Sequence, residues 1–381
     1  LLATALAAVA VAAMGPWSVG ALVPTAEPGD TITEPAVLAE RLAGLEVEAI
    51  EEGVVRVLAD DADHDFRGGR VREVVAGPDG SVWVAQGRRV MAVGVAGDVE
   101  ARGTGWRTFP RRLSIDHSGT AWAQEDVGTV VNLRDGAWQP AEDERASLAA
   151  SFSLVDGQAW RILADGDEPT GLAMLGVVRW HELAGPPALA ASAPPAQYSL
   201  ALDADDRLWL AGDAGPGSGW LARYDGDTWS SVTELDGVPI GRVLAMTTDR
   251  DDTFWLLAEA TTSDCEHRCD AELVLAGQSE DGWRVFAADA GMPQDDARIA
   301  SAWAPGLPTP LAAADGVTWF ALPRLGVFRF DGATFERIEA AGLGSGALDL
   351  AIDDAGNVWL ATLRGRLVVL DGETRGAATA S

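Results

Sequence analysis

The sequence predicts an all-β chain: a seven-bladed β-propeller whose four-stranded blades are closed into a ring by an N-terminal strand, preceded by an apolar N-terminal helix. Three observations carry that expectation. Seven Trp recur at one place in a repeating pattern, Asp-Gly hairpin signals follow them, and one strand-like segment near the N-terminus belongs to no repeat. Trp83, Trp122, Trp160, Trp209, Trp255, Trp319 and Trp359 are separated by 39, 38, 49, 46, 64 and 40 residues, so the unit is close to 39 and longer intervals mark insertions.

The N-terminus comes first. Residues 1–23 carry no charge, and as a helix rising ~1.5 Å per residue they are long enough to cross a hydrocarbon core of ~30 Å. The expectation is a membrane anchor with the remainder outside the cytoplasm; a cleaved secretion signal and a soluble helix are the competing readings. Residues 24–52 read as a linker with a short helix over 35–43, started by Pro35 and stopped by Gly44. The propeller is expected over 53–374, and 375–381 as a disordered tail.

Within a unit, a short alternating segment such as 348–352 has the period-two pattern of a strand with one buried face. A polar turn follows, clearest at Gly77, Asp116 and Asp353, and then the Trp strand. The third strand ends in Asp-Gly, as at Asp225-Gly226 and Asp331-Gly332, a strong hairpin signal between alternating apolar stretches. A fourth strand starts near Trp106, Trp138, Trp180, Trp229, Trp283 or Phe335. The seventh unit ends after three strands. GVVRVLA at 53–59 precedes the first unit, so it is the candidate to pair with 367–370 and remove the open edge. On this reading the repeat Trp fill wedges between blades and the turn Asp accept local backbone hydrogen bonds.

Charge excludes one class of partner. There are 58 Asp and Glu against 28 basic residues, all of them Arg, giving a formal net charge of -30. Such a surface repels phosphate backbones, so nucleic acid is not an expected partner.

The turn, the Trp strand and the Asp-Gly hairpin, best seen over 353–374, resemble the two-component-regulator propeller repeats of bacterial sensor proteins. Residues 314–335 and 203–229 also match well, while the units around Trp160 and Trp255 are degenerate. The resemblance implies an extracytoplasmic input module joined through a membrane segment to signalling domains. No kinase, cyclase or DNA-binding module is recognisable in this chain.

Insertions point to where recognition would sit. The expansions at 212–219, 259–272 and 287–310 all fall on the end of the ring opposite the turns that precede the Trp, around blades four to six. The expected function is non-catalytic binding of a small molecule, glycan or protein there, with Asp213, Asp264, Glu266, His267, Arg268, Asp295 and Trp303 as candidate contacts. Neutral loop growth is the competing reading. Cys265 and Cys269 are expected to form a local disulfide that pins the loop in an oxidising compartment. Metal ligation by these cysteines with His267 is the weaker alternative, because three ligands at two-residue intervals suit a tetrahedral site poorly; free thiols are the third. No metal, cofactor or catalytic residue is expected.

Catalysis is the runner-up reading. The chain partly resembles the streptogramin-type lyases, which implies a central cluster of His and acidic residues with Mg. His64, His117 and His181 are scattered and read instead as turn or edge residues. The acidic clusters at 60–65, 203–206 and 249–252 lack the 12-residue spacing of a calcium hand and read as solvated turns, with weak Ca²⁺ sites as the competing reading.

Overall fold

The computed structural model describes Leu42, residues 45–51 and 54–60, and most of 70–371. The longer segments outside that description are 1–41, 61–69, 104–109, 141–148, 191–196, 214–218, 262–270, 295–309 and 372–381. Among the described residues, seven antiparallel sheets span 71–101, 110–140, 149–183, 197–232, 234–286, 311–338 and 347–370. They are blades one to seven. Inner strands touch in cyclic order from the first blade to the seventh and back to the first, which makes a ring.

The ring closes as the leftover segment predicts. Blade seven has three strands of its own, Ala347–Ile352, Val358–Thr362 and Leu367–Leu370. Ahead of the ring lie β1 (Leu45–Glu51) and β2 (Val54–Asp60). β2 is the fourth strand of blade seven, with Val54, Val55, Arg56 and Val57 opposite Leu370, Val369, Val368 and Leu367. β1 pairs with β2 as a fifth, outermost strand. Residues 45–51 are therefore not linker. Their sequence, LEVEAIE, carries three Glu, which make it look like linker when composition alone is read. The expected helices at 1–23 and 35–43 lie outside the described residues. Among the described residues no helix is long and apolar enough to cross a membrane.

The Trp rule has a direction. Trp83 shares an apolar cluster with Leu113 and Trp138 of the next blade, and Trp160 with Tyr198 and Leu200 of its next. Trp209 packs with Phe254 and Leu256, and Trp255 with Phe320 and Phe330. Trp319 lies with Leu350 and Leu360, and Trp359 with Val74 and Met91 across the closing seam. Each faces the blade that follows. A fully buried large apolar side chain stabilises by about 1.5–3 kcal/mol, so the repeated wedge is a major term in holding neighbouring blades together. Trp122 is also buried, but its cross-strand neighbour is Asn132, itself buried with neither amide atom hydrogen-bonded.

Outer strands carry a second contact. The indole Nε1 of Trp138 donates to the Arg102 carbonyl at 3.0 Å, and that of Trp229 to the Ala184 carbonyl at 2.7 Å. In both cases the acceptor is the first residue after the outer strand of the preceding blade. An amphipathic ring thus ties rims together while it buries area.

Candidate functional site

The two ends of the ring differ in what their polar groups are free to do. At the end carrying the turns before the Trp strands, the turn carboxylates are consumed by the fold. Asp203 accepts the backbone N–H of Asp205 and of Arg207 at 3.1 Å, the Arg207 guanidinium at 2.9 Å and the Trp209 indole at 2.7 Å. Asp116 and Asp249 accept the indoles of Trp122 and Trp255, and Asp353 that of Trp359, each at 2.9 Å. The i, i+6 spacing follows from the turn: the carboxylate caps the turn amides and its second oxygen reaches the Trp two residues into the next strand. The first blade substitutes a different solution. Gly77 stands at the Asp position, Asp79 takes over the turn, and Ser81 Oγ accepts the Trp83 indole at 3.0 Å while donating to Asp79 at 2.5 Å.

A cleft of 430 Å³ opens at this end between the inner strands of blades four and five. Leu200, Leu202 and Met246 line it, with Asp206 and Asp252 among its acidic residues. Both Asp adopt left-handed backbone, φ 58° and 61°, where the turns of three other blades place Gly80, Gly119 and Gly356. Asp is among the few side chains that tolerate this region, which accounts for the choice structurally.

The opposite end carries the insertions, and their described stems are firmly built. After blade five, a single 3-10 turn at Ala288–Ala290 is followed by Gly291, whose φ of 88° reverses the chain. Met292 is buried in the cluster between blades five and six. Gln294 then clamps the backbone of Leu273, accepting its N–H and donating to its carbonyl, both at 2.8 Å. Glu272 accepts the N–H of Ala288 at 2.9 Å. Nearby, Arg242 and Glu259 face each other across the two inner strands of blade five, 3.9 Å apart and almost enclosed. At Gly219 a Cβ would stand 2.6 Å from the Gly241 carbonyl, so only glycine lets blade four approach this point so closely.

Along the central channel, inner strands have one free edge whose N–H groups need partners. Two carboxylates supply them across blade seams. Asp349 of blade seven accepts the N–H of Val74 in blade one at 3.0 Å, and that of its own neighbour Leu350 at 3.0 Å. Glu73 of blade one accepts the N–H of Arg112 in blade two at 2.6 Å and also that of Leu113. Pairing within each of these three inner strands shifts register beside the contact. Asp349 retains some accessible area, yet the crowded blades strip most water from its carboxyl; that burial first, and the charge of Glu73 second, hold it well above the usual carboxylate range. Such a group can hold a proton where ordinary carboxyls have lost theirs.

The residues singled out by sequence fall almost wholly elsewhere. Asp213 ends the strand Leu208–Asp213, with backbone paired to Gly219, and its side chain lies outside the described residues. Asp264, Cys265, Glu266, His267, Arg268 and Cys269 lie between the strands Phe254–Thr261 and Ala271–Ser279, also outside the description, as do Asp295 and Trp303. Among the described residues no group of three His, Cys, Asp or Glu could hold a metal ion. His181 is half-buried in the outer strand Trp180–Leu183 of blade three. Sequence reasoning missed Gln294 and Glu272, whose only signal is their place beside an insertion, and the channel pair Glu73 and Asp349, acids within mainly apolar inner strands.

What fold and site define is a class: a seven-bladed propeller with short carboxylate-capped turns at one end and braced insertions at the other. No protein-family model matches the chain, and no curated protein sequence matches it. Its likeness to solved structures is a likeness of fold. A streptogramin B lyase superposes with a TM-score of 0.53 at 13% identity, covering 80% of this chain and 93% of that one. The extracellular domain assigned to a hybrid two-component system of B. thetaiotaomicron gives 0.53 at 11%, covering 85% of this chain and 39% of that one. YCF48 bound to D1 peptide gives 0.51 at 13%, covering 79% and 92%.

Proposed function

We propose that this chain is a non-catalytic recognition module, working outside the cytoplasm, whose contact surface is the insertion end of blades four to six. One observation carries the reading: three insertions leave the same end of adjacent blades, and the one after blade five rises from a base pinned by Gln294, Glu272 and Met292. Binding residues on loops work best when their stems do not move, because ordering them on contact costs affinity. The turn end offers a contrast, since Asp116, Asp203, Asp249 and Asp353 there are occupied by Trp and backbone. A sensor role, in which binding at this end biases a further domain or partner, fits the resemblance of the repeats to bacterial input propellers.

The test uses a defined panel of soluble oligosaccharides, amino acids and dipeptides, read by thermal shift. Three proteins are compared: the full chain, a variant with 262–270 replaced by Asp-Gly, and a turn-end control, Asp206→Ala with Asp252→Ala. A ligand that shifts the full chain and the control but not the shortened variant supports the assignment. One that still shifts the shortened variant and fails on the control overturns it. A panel member converted to product by the full chain would replace recognition with catalysis.

A further inference from the structure

We propose that the cleft at the turn end, between blades four and five, is a second binding site, independent of the insertion end, and that it takes an aliphatic diamine. Its 430 Å³ lies within the roughly 300–1,000 Å³ of small-molecule sites. The walls are the last residues of two inner strands and the turns that follow them, joined across the seam where the Thr248 hydroxyl donates to the Leu202 carbonyl. Leu200 is buried, whereas Leu202 and Met246 are half-buried and leave apolar surface on the void. Thr247, also half-buried, adds a hydroxyl to the lining.

Charge selects the ligand. Asp203 and Asp249 line the cleft with their carboxylates already held by the turns and by Trp209 and Trp255. Asp206 and Asp252 differ: both are exposed, and among the described residues neither carboxylate takes a donor. Arg207, beside Asp206 in the chain, is committed to Asp203 at 2.9 Å and to Asp205 at 2.6 Å. Arg250 and Asp251 lie outside the described residues and bring one charge of each sign. Tolerance of left-handed backbone explains how Asp can stand at 206 and 252. It does not explain why blades four and five give up the Gly that blades one, two and seven place there, and these two blades are the ones that flank the cleft. A molecule with two cationic ends and an apolar middle meets both rim carboxylates while its methylenes cover Leu200, Leu202 and Met246. A ligand bearing a carboxylate is repelled. Calcium takes roughly six to eight oxygens, and among the described residues no group of three His, Cys, Asp or Glu could hold a metal ion.

Isothermal titration calorimetry of the full chain tests this at about 0.15 M salt, where diffuse attraction to a chain of net charge -30 is screened. The probes are putrescine, cadaverine and hexamethylenediamine, with butylamine as the single-charge analogue and Ca²⁺ as a compact dication. One diamine length should bind best, and butylamine more weakly. Asp206→Asn with Asp252→Asn, which keeps side chains that tolerate left-handed backbone, should weaken the best diamine about five- to thirtyfold, the factor that two exposed charge contacts supply. Asp225→Asn with Asp331→Asn removes the same charge from exposed hairpins outside the cleft and should change affinity by less than about twofold. The variant shortened at 262–270 should bind the diamine unchanged, so this site and the insertion end stand or fall separately. If the double rim variant does not fold, each single substitution is measured instead, and each should weaken binding by at least about twofold. Equal weakening by the rim and hairpin pairs, equal affinity for every diamine and Ca²⁺, or no diamine binding at all overturns the site.

Discussion

Asp353→Ala would remove the hub of the turn in blade seven. The carboxylate accepts the N–H of Ala355 and of Asn357, each at 3.0 Å, on one oxygen, and the Asn357 side-chain amide at 3.2 Å and the Trp359 indole at 2.9 Å on the other. Asp353 and Trp359 are both buried, as is Asn357. In the alanine variant the Asn357 N–H, the Asn357 side-chain amide and the indole N–H lose their acceptor where water does not reach. Each buried unsatisfied donor costs about 1–3 kcal/mol, so three cost about 3–9 kcal/mol. With a urea dependence of about 3 kcal/mol/M, the unfolding midpoint should drop by roughly 1–3 M, read by Trp fluorescence. The control is Asp331→Ala, which also loses two backbone N–H partners, Ala333 at 3.0 Å and Thr334 at 2.8 Å, but on an exposed hairpin where water replaces the carboxylate. Equal midpoints for the two variants would refute the claim that the turn aspartates are scaffold because they are buried.

Three further outcomes follow from the same geometry. Trp160→Phe should cost less than Trp209→Phe by about 1.5–3 kcal/mol in denaturant unfolding, because the Trp160 indole N–H has no partner whereas that of Trp209 donates to a carboxylate at 2.7 Å. Asn132→Val removes two buried amide atoms that bond to nothing and places a β-branched side chain on a strand, so the melting temperature should rise rather than fall. Gly77→Asp restores the repeat motif of the other blades yet should destabilise by about 1–3 kcal/mol, since a Cβ there stands 2.9 Å from both Asp79 Oδ1 and Ser81 Oγ; an unchanged midpoint would count against the substituted turn of blade one.

Sequence spacing exposed the ring because the repeat is local: the Asp, the turn and the Trp lie within seven residues and recur with the blade. The closing strand was legible for the same reason, as an alternating segment left without a repeat of its own. β1 was not, since its Glu residues look like linker until the partner strand is known. Neither were the two blades that dispense with the carboxylate. In blade three Val155 pairs with Gln158, and in blade six Ala314 with Val317, so only two residues separate the paired strands, fewer than the carboxylate cap of the other blades spans. The channel carboxylates were least legible, because Asp349 meets an amide 275 residues away. The proposal of recognition at the insertion end rests on loop length in sequence and on braced stems in the structure. Gln294 gains its meaning only once Leu273 is beside it.

Ring closure by β2 completes blade seven, and the exchange of the Leu367–Leu370 amides measures it directly. In the full chain these amides should be protected as strongly as those of Val358–Thr362, since they pair on both sides. In a chain lacking residues 1–60 that protection should collapse, and a peptide spanning 45–60 added in trans should restore it. Undiminished protection of 367–370 after the deletion would contradict the closed seven-bladed ring.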